Sequence, residues 1–67
     1  MNGNWEKVYS ASMVYKVEIV QSLLIEHDIE SVIMNKKDSA YLFGDVELYV
    51  KPEQHLQAVQ IIKQNNL

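Results

Sequence analysis

The sequence predicts an α+β domain with the element order β-α-β-β-α. Three observations carry this reading. Residues 13–27 contain no glycine or proline and repeat apolar side chains at helical spacing. Residues 46–50 alternate strictly, with Val46, Leu48 and Val50 on one face and Glu47 and Tyr49 on the other. Pro52 then opens a second stretch of helical periodicity.

The elements follow in order. Met1 to Asn4 is a polar, glycine-containing end. Trp5 to Ser10 mixes aromatic and β-branched residues with charges and reads as a short strand. Ser12 is suited to cap the first helix, because its hydroxyl can accept from free amides of the first turn. That helix runs from Met13 to about His27, with Val14, Val17, Val20, Leu23 and Leu24 as a broad apolar stripe. Asp28 stands where a helix stop commonly has glycine, and aspartate can enter the left-handed conformation needed there. Ile29 anchors the turn into a second strand, Ser31–Asn35. Lys36 to Gly44 is a connection, with Gly44 placed for a tight turn or bulge before the third strand, Asp45–Val50. Lys51 precedes Pro52, which favours extended geometry at its predecessor and the first helical position for itself. The second helix extends to about Gln64. Leu56, Val59 and Ile62 form its stripe, and Ala58 and Ile61 widen it.

A strand–helix–strand unit crosses over right-handed, and the next strand returns antiparallel. The layout that satisfies both is a single domain over residues 1–67. It has a three-stranded antiparallel sheet with the third strand in the centre and both helices on one face. This is a ferredoxin-like split βαβ arrangement without a full fourth strand. The first strand is then an edge, available to another subunit.

Composition narrows the function. Sixty-seven residues make a small core, and natural domains of this size often gain stability by oligomerising, so a homo-oligomer is expected. There is no cysteine, as suits a reducing compartment. No apolar run approaches the ~20 residues of a membrane span, and the first residues lack the basic and apolar regions of a signal peptide. The expected location is the cytoplasm. A net charge of −3 disfavours nucleic acid as a partner, since affinity for phosphate backbones comes largely from Lys and Arg.

With both helices on one side, the other side of the sheet is left to solvent or to a partner. With Val8 turned inward, Trp5, Tyr9 and Tyr49 form an aromatic platform on that bare side. The opposite register buries Trp5 and Tyr9 instead. A second candidate contact is Tyr41, Leu42 and Phe43, three large apolar residues within a connection. A candidate ligand site lies near Asn35, Lys36, Lys37 and Asp38. No metal site is expected, because His27 and His55 lack ligand spacing. No serine context marks a nucleophile and no carboxylate pair marks acid and base, so neither catalysis nor a cofactor is expected.

Two stretches resemble a known family. Val8-Tyr9-Ser10-Ala11 and Val17-Glu18-Ile19-Val20 lead to Ser22-Leu23-Leu24 and Ile29. Gly44, Val46, Leu48 and Val50 are followed by Pro52-Glu53 and Ala58. Together they resemble a family of very small bacterial domains described as putative prokaryotic signal-transducing protein. The resemblance runs from about Glu6 to Ile62. It implies a fold similar to the nitrogen-regulatory PII proteins, and a regulatory role. Asp28 departs from the glycine common in the family, and the connection from Lys37 to Gly44 is shorter than the nucleotide-binding loops of PII proteins. The expectation is a non-enzymatic, cytoplasmic regulatory or protein-interaction module. The alternative is a sensor of a small metabolite or nucleotide held at a subunit boundary.

Overall fold

Burial of one apolar face of the central strand organises the chain. The computed structural model describes residues 4–36 and 45–67. The elements are β1 (Glu6–Ala11), α1 (Val14–Glu26), β2 (Ser31–Asn35), β3 (Val46–Val50) and α2 (Pro52–Gln64). The sheet order is β1-β3-β2 and both pairings are antiparallel. This is the expected α+β, ferredoxin-like arrangement. Val46, Leu48 and Val50 have no exposed surface, and Val17, Val20, Leu24 and Ile29 pack over them from the α1 side. Ala58, Ile61 and Ile62 of α2 complete the core. The Cα envelope is flat, 35 × 30 × 15 Å, as one sheet and one helix layer require. Among the described residues, no helix is long and apolar enough to cross a membrane.

The edge strand β1 corrects the aromatic platform. Lys7 pairs with Tyr49, but Tyr9 pairs with Leu48, so Val8 is an extra residue in a β-bulge. Both Val8 and Tyr9 pack against the core. Beyond the bulge the alternation is reset: Ser10 lies opposite Glu47 and Ala11 opposite Val46. Tyr9 therefore sits on the helix-covered side and does not join Trp5 and Tyr49. The physical reason is that neither uniform register buries Val8, Tyr9 and Ala11 together. One inserted residue does, at the cost of locally disrupted pairing on a strand at the sheet edge.

The helix ends also differ in detail from expectation. Ser12 does not cap α1. The N-cap is Met13, in extended geometry (φ −115°, ψ 133°) and with no side-chain hydrogen bond to the first turn. The Lys16 amide donates to the Met13 carbonyl at 3.2 Å. At the other end Asp28 has φ 61°, the left-handed stop expected of it. The Asp28 amide donates to the Ile25 carbonyl (3.0 Å) and the Ile29 amide to that of Leu24 (2.9 Å). These two bonds and the buried Leu24 and Ile29 make a Schellman turn. The end of α2 repeats the device. Asn66 has φ 58°, its amide donates to Lys63 (3.1 Å), and the Leu67 amide donates to Ile62 (3.2 Å).

Leu56 is a second correction. It belongs to the expected apolar stripe of α2, yet it is 69% exposed. The buried stripe is centred on Ala58, and a residue two positions away lies nearly on the opposite side of a helix. Val14 likewise sits at the margin of α1 and is not among its buried residues.

Two substitutions test the helix ends. Asp28→Gly removes the Cβ strain of the left-handed residue while adding some unfolded-state freedom, for a net gain of about 0.5–1 kcal/mol. The expected result is a melting temperature a few degrees higher, read by circular dichroism. Met13→Ser supplies the missing cap acceptor and is expected to add about 1 kcal/mol to the denaturant-unfolding free energy.

Candidate interaction surface

The face of the sheet turned away from the helices is built by alternation on three strands. On β3 it presents Glu47 and Tyr49. Across from Tyr49 lie Lys7 on β1 and Val32 on β2; across from Glu47 lie Ser10 and Met34. Val32 is 39% and Met34 40% exposed, which is high for apolar residues within a sheet. The apolar residues are thus concentrated on the β2 side and the cations flank the centre.

Glu47 is the hub of the face. The Tyr49 hydroxyl, two residues along the same strand, donates to Glu47 Oε1 at 2.6 Å. Lys36 Nζ lies 3.1 Å from Oε1 and Lys7 Nζ 3.5 Å from Oε2. The Tyr49 hydrogen bond, then those of Lys36, hold the Glu47 carboxyl below the usual carboxylate range, against a smaller opposing effect of burial. In turn, the hydrogen bond and charge of Glu47 raise Lys36 above the ordinary lysine value. One carboxylate thus ties all three strands together, since Lys7 precedes the bulge on β1 and Lys36 directly follows β2.

At one end of the face, Lys51 Nζ sits 5.9 Å from the centroid of the Trp5 ring and 3.5 Å from Glu30 Oε1. Lys51 and Glu30 are well exposed, so their ion pair contributes little to stability. The five charges in these contacts, Lys7, Lys36, Lys51, Glu30 and Glu47, nearly cancel. Helix α1 and its stop residue instead carry Glu18, Glu26 and Asp28 against Lys16. Helix α2 adds Glu53 and Lys63, which cancel, so among the described residues the helix layer is more acidic than the open sheet face.

Of the residues singled out from the sequence, Trp5 and Tyr49 belong to this side of the sheet and Tyr9 does not. Asn35 and Lys36 close β2, and Lys36 is engaged with Glu47. Lys37, Asp38, Tyr41, Leu42 and Phe43 lie outside the described residues. His55 packs near β1 instead of standing alone. Its Nδ1 is 3.8 Å from Glu6 Oε1 and its Nε2 is 3.3 Å from the Lys7 carbonyl. Among the described residues, no three His, Asp or Glu side chains gather as metal ligands would. Sequence reasoning missed the Glu47 hub. The available signal was a carboxylate on the open face of a central strand, two residues from a tyrosine and flanked by lysine-bearing strands.

This fold and this surface define a small α+β domain with one helix-covered and one open sheet face. The family model described as putative prokaryotic signal transducing protein matches residues 5–66, and the chain belongs to that family. No curated protein and no solved structure matches the chain significantly.

The hub makes a prediction about pH. Because Glu47 is depressed in the folded state, the stabilisation it supplies is complete above the ordinary carboxylate pKa. It is lost as pH falls through the folded value. Tyr49→Phe removes the largest cause of the depression. Carboxyl titration by NMR should show Glu47 moving up towards the ordinary value, with a smaller loss of stability across the acid range. An unmoved Glu47 titration in the variant would contradict the assigned role of the hydroxyl.

Proposed function

We propose that the chain is a non-enzymatic, cytoplasmic regulatory module that works by protein–protein contact through the open face of its sheet. The first occupant of that face is a second copy of the chain. The observation that carries this reading is the exposed pair Val32 and Met34, next to the half-buried Tyr49 and beside a charge set that nearly cancels. Exposed apolar groups rimmed by polar ones are characteristic of interaction sites. Two helix layers would approach with like charge, whereas two open sheet faces meet without that repulsion. The signal-transducing description of the family is in keeping with a module whose output is association.

The test is molar mass in solution, measured by light scattering over a tenfold concentration range. A dimer is expected. Val32→Lys and Tyr49→Ala should each raise the dissociation constant at least tenfold, with an unchanged circular dichroism spectrum. A wild-type chain that stays monomeric throughout, or variants that associate as well as the wild type, would overturn the proposal.

A further inference from the structure

Among the described residues β1 and β2 are the two edges of the sheet, and they are not alike. An open edge invites pairing with another strand, and natural sheets guard it with a bulge, charged side chains or a covering element. β1 has all three: the bulge at Val8, the charges of Glu6 and Lys7, and the His55 ring of α2 at 3.3 Å from the Lys7 carbonyl. β2 holds no charged residue, and its register with β3 runs without a break. The edge expected from the sequence to receive another subunit is thus the guarded one, and β2 is the more open.

The backbone of β2 is turned for pairing. The Lys36 amide donates to the Asp45 carbonyl at 3.0 Å, which makes Lys36 and Asp45 a hydrogen-bonded pair. Such pairs alternate along an antiparallel ladder. Met34 and Val32 therefore also bond to β3, while Ser31 and Ile33 direct their N–H and C=O groups to the outer edge. The Ser31 carbonyl takes one hydrogen bond there, from the Gln21 side chain at 3.3 Å, and a carbonyl can accept two. Ile33 stands at the middle of the strand and is the natural centre of a further pairing.

The side chains around that centre are complementary to themselves. Glu30, Val32, Met34 and Lys36 alternate onto the open face, and all four are exposed. A twofold axis through Ile33 sets this row against its own reverse. Val32 then lies opposite Met34 of the second copy, and Glu30 opposite Lys36 of the second copy. These are non-hydrogen-bonded positions, where opposing side chains come closest. Sliding the register by two residues sets Lys36 against Val32 in one direction and Glu30 against Met34 in the other. The alignment on Ile33 matches charge with opposite charge and apolar with apolar at once.

We infer that two copies of the chain pair antiparallel through β2, about a twofold axis at Ile33, and form one continuous sheet in the order β1-β3-β2-β2-β3-β1. The inference rests on the reading that the partner of the open face is a second copy, and it names the contact that aligns the two. Both open faces lie on the same side of the joined sheet, so Val32 and Met34 of the two copies merge into one apolar patch at the axis. The contact is isologous, and the Glu30–Lys36 pairs on either side of the axis set its register.

The experiment reverses one charge at a time in the full chain and reads the dissociation constant by light scattering. Glu30→Lys sets lysine against lysine across the axis, and Lys36→Glu sets glutamate against glutamate. Each variant alone should associate about tenfold more weakly than the wild type, with an unchanged circular dichroism spectrum. An equal mixture of the two variants restores opposite charges at both pairs and should associate within about threefold of the wild type. Lys36 also pairs with Glu47 of its own chain, and mixing does not repair that loss, so recovery reports a contact between chains. Glu53→Lys and Lys63→Glu carry the same changes of net charge on α2 and should each associate as the wild type does, alone or mixed. A wild-type chain that stays monomeric overturns this inference together with the open-face reading. Association that is weakened by Tyr49→Ala but not by either charge reversal overturns the β2 pairing alone, as does a mixture no tighter than its components.

Discussion

Everything in this small domain hangs on the alternation of β3. Val46, Leu48 and Val50 are fully buried, and every other element is placed by its need to share that apolar row. β1 and β2 pair on either side of it, and α1 and α2 cover it. A chain this short can bury one layer contact well and has little left over. The same alternation forces Glu47 and Tyr49 to the far side. The core and the candidate interaction surface are thus two faces of five residues.

The bulge at Val8 is a direct consequence. β1 carries three apolar residues, Val8, Tyr9 and Ala11, that cannot all face the core in a regular strand. An edge strand can tolerate one unpaired residue, so the insertion falls there and not on β2 or β3. The far face benefits as well. Lys7 stays on the open side before the bulge, and Ser10 returns to it afterwards. That keeps Lys7 within reach of Glu47 and leaves the aromatic ring of Tyr9 to the core.

The two sides of the molecule therefore have different characters. The open sheet face is apolar at β2, with charges that compensate one another around Glu47. The helix layer is the more acidic side among the described residues and holds a groove lined by Ile19, Leu23 and Leu67 together with Ser22, Glu26 and Asn65. Surfaces so different in charge favour selective encounter more than raw affinity.

Much of this was legible beforehand. Alternation in β3, the absence of breakers along α1, Pro52 at the head of α2 and the left-handed stop at Asp28 are local properties, written into neighbouring residues. They determined the element order, the fold class and the existence of an open face holding Tyr49. The sequence also carried the family resemblance, because hydrophobic spacing is what that family's members share. What only tertiary structure decided was which of several acceptable local choices the packing would take. Ser12 and Met13 compete for the cap, Leu56 and Ala58 for the buried stripe, and two registers for β1. For Leu56 and for β1 the local choices are nearly balanced and contacts from distant residues settle them, whereas at the head of α1 the cap falls on Met13 against the local preference for Ser12. The Glu47 hub and the groove at Ile19 and Leu67 belong to the same class, since each needs residues more than ten positions apart to meet.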